Sequence, residues 1–193
     1  MTITFVCYLP PPMLITQTPR LILRQFHLDD AEAMNAIFGD ADVMRFGDGP
    51  QSPQWVRSWI ASSVNEYYSR WGFGSWAVVD KVTSAVIGYC GLSRFPDRCA
   101  PGEAEIGFRL ARASWGHGFA TEAALAVRDH AFDVLNLPRL IALIDPANIA
   151  SIRVAEKLGF RFEREAMLPG YDHPDWLYAL ETSRTEPTNV HRT

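Results

Sequence analysis

The segment Ala104–Ala123, AEIGFRLARASWGHGFATEA, constrains the fold more than any other stretch of this chain of 193 residues. It begins as an apolar strand, passes through a loop of small residues, and continues as a helix with regularly recurring apolar positions. Gly116, Gly118 and Ala120 allow the loop backbone to turn tightly and to be approached closely. The first turn of a helix has unpaired N–H groups and a partial positive charge. The segment therefore predicts an anion site at the helix start, from about Gly116 to Thr121.

Apolar periodicity along the rest of the chain predicts an α/β domain whose sheet has helices on both faces. Ser52 and Pro53 are typical of a helix start, and Gly159 is typical of a helix end. Arg139–Asp145 is apolar on both faces, as a central strand between two layers would be. The other predicted strands are Pro19–Phe26, Trp76–Val79, Ala85–Leu92, Ala104–Ala111, FRFERE and WLYALE, and the predicted helices begin near Asp30, Pro53, Ala120 and Ser151.

Composition predicts one domain over residues 16–183, with an N-terminal tail at 1–15 that we expect to be poorly ordered and a polar C-terminal tail at 184–193. The formal net charge of −4 argues against nucleic-acid and membrane partners, and no apolar run reaches the ~18 residues that span a bilayer. The three cysteines match no metal-ligand spacing. We therefore expect a cytoplasmic protein with reduced thiols and no metal.

Three phosphate-binding loops compete for the motif. A Walker loop needs a lysine after its last glycine, and none is present. A dinucleotide fingerprint needs a small residue where Thr121 stands, although Asp145 supplies the acid that closes the next strand. The acyl-CoA loop, Gln/Arg-x-x-Gly-x-Gly/Ala, matches Trp115–Ala120 except that Trp115 replaces the Gln or Arg. The glycines could also do no more than end a strand and start a helix.

Two segments in the right order resemble a known family. Ala104–Ala123 followed by Asn148–Phe160, NIASIRVAEKLGF, resembles the GNAT superfamily of acetyl-CoA-dependent N-acetyltransferases. Thr18–Met34, TPRLILRQFHLDDAEAM, is similar to its branch of ribosomal-protein N-terminal (alpha-amino) acetyltransferases. The resemblance covers nearly the whole chain, from Thr18 to Glu181. It implies a GNAT-like mixed, mostly antiparallel sheet with a splayed central parallel strand pair.

The resemblance also implies where acetyl-CoA binds. The splayed strands would be Glu105–Leu110 and Leu140–Asp145, and the pantetheine arm would enter between them. It would bond to backbone groups of Phe108 and Leu110 and to the side chain of Asn148, while the pyrophosphate would lie on the loop. The expected cofactor-binding set is Phe108, Leu110, Trp115, Gly116, His117, Gly118, Phe119, Ala120, Thr121, Asn148 and Ser151.

Acyl transfer to an amine needs a base, a donor to the oxyanion and a group that stabilises the departing thiolate. Glu105 is the candidate base, with Glu103 as the fallback, and the N–H of Phe108 is the candidate oxyanion donor. Glu105 precedes Phe108 by three residues, so the two point to opposite faces of a regular strand, and a bulge or a water would have to connect them. Glu105 could instead anchor a substrate cation or pair with Arg109 or Arg94.

The thiolate partner is harder to assign, because Ala155 stands where many members of the superfamily carry a tyrosine. Ser151 matches a serine used in the resembled branch, although a hydroxyl at a helix start can also cap the backbone. Tyr171 is a distant alternative.

The expected activity is transfer of an acetyl group from acetyl-CoA to a primary amine, by direct attack on the thioester in a ternary complex. The amine would belong to a protein N-terminus or to a small molecule. The fold is compatible with a homodimer. The alternatives are a non-catalytic acyl-CoA-binding or sensor domain and, less favoured by the motifs, a nucleotide-dependent oxidoreductase.

Overall fold

Residues 12–182 are described by the computed structural model, and the eight strands found there form one sheet. The strands are β1 (Leu14–Gln17), β2 (Leu21–Arg24), β3 (Ser75–Asp80), β4 (Val86–Ser93), β5 (Glu103–Leu110), β6 (Arg139–Ile144), β7 (Arg161–Ala166) and β8 (Asp175–Glu181). Neighbouring strands follow the order β1-β2-β3-β4-β5-β6-β8-β7, and among them β5 and β6 alone run parallel. This confirms the predicted mixed, mostly antiparallel sheet with a central parallel pair.

The helices start where the capping residues predict. The Ser52 hydroxyl accepts a hydrogen bond of 3.2 Å from the Trp55 N–H, and Pro53 is the first helical residue. A π-helical turn at Ser63–Tyr67 joins the third helix to the fourth. The helices are α1 (Ala31–Phe38), α2 (Ala41–Met44), α3 (Pro53–Ser62), α4 (Tyr68–Trp71), α5 (Phe119–Asp133) and α6 (Ile149–Lys157).

Two hydrophobic clusters cover the two faces of the sheet. Helices α5 and α6 pack on one face, in a cluster that includes Trp76, Val127 and Leu140. Helices α1 and α3 pack on the other face, in a cluster that includes Ala77. Successive strand side chains point to opposite faces, which places the neighbours Trp76 and Ala77 in different clusters. The prediction of helices on both faces is therefore confirmed.

The parallel pair separates soon after it forms. The β5–β6 ladder pairs Glu103–Glu105 with Arg139–Ile141 and ends there. Beyond that point β5 stays paired with β4 as far as Leu110, and β6 stays paired with β8 as far as Ile144. The two strands therefore diverge while each stays paired with its outer neighbour, and on the side facing the gap each leaves backbone N–H and C=O groups without a ladder partner.

Three short elements were missed by the sequence analysis. Strand β1 begins at Leu14, inside the range predicted as a tail, and pairs antiparallel with β2. Helices α2 and α4 have four residues each, too few to show a helical period. Residues 1–11 and 183–193, which hold most of the two predicted tails, lie outside the described residues. Within 12–182 there is no helix with the length and apolar character that crossing a bilayer requires.

Leu140→Ala tests the buried central strand. Leu140 is fully buried in the cluster beneath α5 and α6, so truncation leaves a cavity and should lower the free energy of unfolding by about 2–5 kcal/mol. Urea denaturation measures this change. Val82→Ala, at a turn position that is 89% exposed, should change it by less than about 0.5 kcal/mol. Equal effects in the two variants would contradict the assignment of Leu140 to the core.

Candidate active site

A cleft of about 170 Å³ lies where β5 and β6 diverge. Glu105 and Phe108 reach it from β5, and Ser151 reaches it from α6. Asn148, just before α6, lines it as well. These four residues, predicted from segments about forty positions apart, thus meet at one place. The cleft also receives polar side chains that the sequence analysis did not place there, namely Tyr89, Asp145 and Asp175, together with Arg109.

The backbone of β5 directs its free polar groups toward this cleft. The Ala111 N–H donates to the Ile87 carbonyl over 2.8 Å, on the β4 side. Backbone groups of alternate residues point to opposite sides of a strand, so those of Phe108 and Leu110 point toward the gap. The Trp115 indole N–H donates to the Leu110 carbonyl over 2.9 Å and uses part of its acceptor capacity. The residue that replaces Gln or Arg therefore supports the strand end.

The loop between β5 and α5 has the geometry of an anion site. Gly116 and Gly118 have φ values of +78° and +80°, in the left-handed region that favours glycine. The Glu122 N–H donates to the Gly118 carbonyl over 3.0 Å as α5 begins. The N–H groups of the three residues before it, which form the first turn, have no acceptor within the helix.

A cluster of contacts from the start of β2 holds this loop. The Glu122 carboxylate accepts hydrogen bonds from the Thr18 hydroxyl at 2.5 Å and from Arg20 Nε at 2.6 Å. Arg20 also donates from Nη1 to the His117 carbonyl over 2.9 Å. Burial acts to raise the pKa of Glu122, but the bonds from Thr18 and Arg20 outweigh it and lower that pKa. The Glu122 carboxylate is therefore held toward Thr18 and Arg20, and Arg20 is a supporting residue that the sequence analysis missed.

The Glu105 side chain is largely buried in the cleft and has charged neighbours. Its side chain is 16% exposed, and its Oε2 atom lies 3.7 Å from Nη1 of Arg98. Burial raises its pKa from 4.5 to about 7, and Asp175 and Asp97 add to this, whereas Arg98 opposes it. The carboxyl group therefore changes protonation near neutral pH.

The partner of Glu105 differs from both expected arginines. Arg98 from the β4–β5 loop pairs with it, whereas Arg94 stacks over the Trp71 ring at 4.8 Å. The fallback Glu103 is bound elsewhere, 3.1 Å from Arg139 Nη1, and does not line the cleft.

No bulge brings Glu105 and Phe108 together. The β4–β5 register runs without a shift from Glu105 to Leu110. Because β6 has moved away, the gap is open to both faces of β5, and the Glu105 side chain and the Phe108 backbone border the same cleft.

At the start of α6, Asn148 is the capping residue. Its Oδ1 accepts from the Ser151 N–H over 3.2 Å, which leaves its Nδ2 for a ligand. Among residues 12–182 no partner bonds to the Ser151 hydroxyl, so Ser151 does not cap this helix. Ala155 lines the cleft without a hydroxyl, and Tyr171 donates to Asp48 over 3.2 Å outside the lining.

Comparison with known proteins decides the family. Residues 20–161 match the acetyltransferase (GNAT) domain family. The chain belongs to this family. The N-acetyltransferase p20 of Bacillus licheniformis is 32% identical over 161 residues, covering 80% of this chain and 85% of p20. YkkB of Bacillus subtilis is 37% identical over 138 residues, covering 70% of this chain and 78% of YkkB. A GNAT-family acetyltransferase structure from Bacillus anthracis superposes with a TM-score of 0.74 at 26% identity, covering 86% and 96% of the two chains.

This GNAT protein is therefore an N-acetyltransferase, and its family uses acetyl-CoA. The residues present fit that cosubstrate. The free backbone groups of β5 suit an amide-bearing arm, and the unpaired N–H groups at the start of α5 suit a pyrophosphate. No three His, Cys, Asp or Glu side chains between residues 12 and 182 are placed to hold a metal ion.

Gly118→Val tests the loop of this GNAT protein. A β-branched residue is strained at a φ of +80°, and its Cβ would lie 3.5 Å from Arg20 Nη2. The loop should lose its shape, and acetyl-CoA should bind about tenfold more weakly or not at all in calorimetric titration. Gly72→Val is the matched control, because Gly72 has a φ of +72°, open space around it and no contact with the cleft. Undiminished affinity in Gly118→Val would contradict the loop assignment.

Proposed function

We propose that this protein transfers the acetyl group of acetyl-CoA to a primary amine by direct attack in a ternary complex. The observation that carries the proposal is the meeting of Glu105, the Phe108 backbone and Ser151 at one cleft. The first supplies a base, the second a donor for the oxyanion and the third a hydroxyl for the sulfur. The acceptor is the amine of a protein N-terminus or of a small molecule.

Each end of the cosubstrate has a counterpart in this chain. The pyrophosphate would accept hydrogen bonds from N–H groups in Trp115–Thr121. The pantetheine arm would pair with Phe108 and Leu110 as an added strand, and Asn148 Nδ2 would bond to one of its amides. This arrangement would bring the thioester beside Glu105.

The acetyl transfer then takes place in the cleft. Glu105 takes a proton from the ammonium group of the acceptor, directly or through a water. The amine nitrogen attacks the thioester carbonyl, and the Phe108 N–H stabilises the negative charge that forms on oxygen. The carbon–nitrogen bond is made and the carbon–sulfur bond breaks. The second proton of the amine passes to the departing sulfur, to which the Ser151 hydroxyl donates a hydrogen bond, and Glu105 releases the first proton to water.

Release of free thiol from acetyl-CoA in the presence of an amine panel tests this function. The panel contains small amines and N-terminal peptides, and calorimetry with acetyl-CoA alone runs in parallel. Binding together with amine-dependent thiol release supports an enzyme. Binding without thiol release for any amine would favour an acyl-CoA sensor and contradict the proposal.

Glu105→Gln tests the base. In the wild type, kcat/KM should rise with pH through an apparent pKa near 7, because Glu105 must be ionised to accept a proton. The variant should lose that limb and be about 100-fold slower at pH 7. The deficit should shrink at pH 9.5, where a larger fraction of the amine is already neutral. An identical pH profile in both proteins would exclude Glu105 as the base.

Thermal unfolding of the same variant controls for damage to the fold. Burial raises the folded-state pKa of Glu105 above 4.5, so stability falls as pH rises from 4.5 to about 7, and the loss persists above that range. Gln carries no charge to bury. The variant should therefore be at least as stable as the wild type at pH 8, and a slower rate cannot then be assigned to unfolding.

A further inference from the structure

Arg109 is a cation of the cleft that the proposed chemistry does not use. It lies on β5 four residues after Glu105, on the same face of the strand, and both side chains line the cleft. Within residues 12–182 its guanidinium donates no hydrogen bond and forms no ion pair, although its backbone is part of the β4–β5 ladder. Its guanidinium lies over the Phe38 ring at 5.7 Å, and its Nη2 lies 3.1 Å from where a Cβ on Gly47 would stand. Its N–H groups therefore lie against the Phe38 ring and the loop at Gly47 rather than against a hydrogen-bond acceptor.

Other arginines near β5 or the cleft have a carboxylate partner. Arg98 faces Glu105 at 3.7 Å, and Arg139 faces Glu103 at 3.1 Å. Arg24 forms a close pair with Asp30 at 2.7 Å. A guanidinium stays protonated at any physiological pH, and partial burial without an acceptor is unfavourable. An anionic group of a ligand would remove that penalty.

One end of the cleft carries negatively charged side chains, and the other end carries a positively charged one. Glu105, Asp145 and Asp175 supply carboxylates, and burial together with the nearby Asp145 raises the pKa of Asp175. Arg109 supplies the opposite charge four residues further along β5. Residues four apart on a strand are separated by about 13 Å, a span that the two side chains and the ligand share. Gly107 lies between Glu105 and Arg109, and a Cβ there would meet nothing within 4 Å. A small ligand therefore has room to extend over Gly107 from one charge to the other.

We propose that Arg109 binds a carboxylate of the acceptor, so the substrate class is an amine that also carries a carboxylate. This rests on the proposed function, because the amine must reach the thioester beside Glu105. A polyamine would place a second cation against Arg109 and is disfavoured. The carboxylate can come from a free amino acid or from an acidic residue at a peptide N-terminus, and the chemistry of the contact is the same in both.

Matched acceptors separate this contact from the rest of the reaction. The probes are glycine, β-alanine, 4-aminobutyrate and 5-aminopentanoate, each beside its primary amide, and putrescine and cadaverine as diamines. Two tripeptides that differ only in an N-terminal Glu or Gln distinguish a peptide from a free amino acid. For the best acid, kcat/KM should exceed that of its amide by about 10- to 100-fold, the range for one charge-assisted hydrogen-bonded pair.

Variants at Arg109 show whether this preference belongs to that residue. Arg109→Gln should bring the acid-to-amide ratio close to one, through a loss of the rate with the acid that exceeds any change in the rate with the amide. Arg109→Lys should keep part of the ratio, since it retains the charge but not the planar pair of donors. Arg94→Gln is the control, because Arg94 also lies over an aromatic ring, Trp71, but does not line the cleft. The ratio is measured within one protein, so a general loss of folding cancels.

Three results would overturn the proposal. In the first, wild-type protein prefers amides or diamines to acids. In the second, Arg109→Gln lowers acid and amide rates equally, which would make Arg109 a packing residue. Thiol release with amides but without any preference for acids would leave the acetyltransferase function intact and reject the carboxylate contact. If no amine releases thiol, the function itself fails, and calorimetric titration of the acids into wild type and Arg109→Gln still decides the contact.

Discussion

The divergence of β5 from β6 is the constraint on which the site depends. Their ladder ends at the pairing of Glu105 with Ile141, yet each strand stays paired with its other neighbour. The sheet therefore remains continuous on both sides of the gap, and the opening is held by the flanking strands rather than by loops. Unpaired backbone groups inside a fold need partners, so the gap is suited to a ligand that carries a chain of amides. The same gap exposes both faces of β5, which lets a side chain and a backbone N–H act on one ligand.

Burial and charge then give the cleft its chemistry. Glu105 is mostly withdrawn from water, and the pKa near 7 that results is suited to accepting a proton at neutral pH. Arg98 limits this rise without forming a close bond to the carboxylate, at 3.7 Å. At the far end of β5, Arg20 from the start of β2 pairs with Glu122 of α5 and bonds to the His117 carbonyl, which holds the loop in place. The two ends of the site are thus held by separate ion pairs.

Local sequence patterns predicted the elements that have local causes. Ser52 and Pro53 begin α3 because capping is decided within one helical turn, and Gly116 and Gly118 adopt positive φ because other residues rarely can. Strand β1 was missed because its four residues, LITQ, carry too little alternation to stand out, and its pairing with β2 stabilises it. Of the two connections expected between Glu105 and Phe108, a bulge or a water, the bulge is absent, because β6 diverges and opens the gap without disturbing the register of β5.

The sequence by itself determined the strand–loop–helix unit, its glycines and, through the resemblance, the family and the two strands that splay. The tertiary structure alone decided that Arg98 faces Glu105, that Arg20 reaches the loop 97 positions away, and that Arg109 is left with no carboxylate. The physical reason is the distance along the chain over which each kind of interaction acts. Dihedral preferences, capping and periodicity act over a few residues and can be read from the chain. Ion pairs and burial join residues that only the packed sheet brings together, and these contacts set the charge and protonation of the cleft.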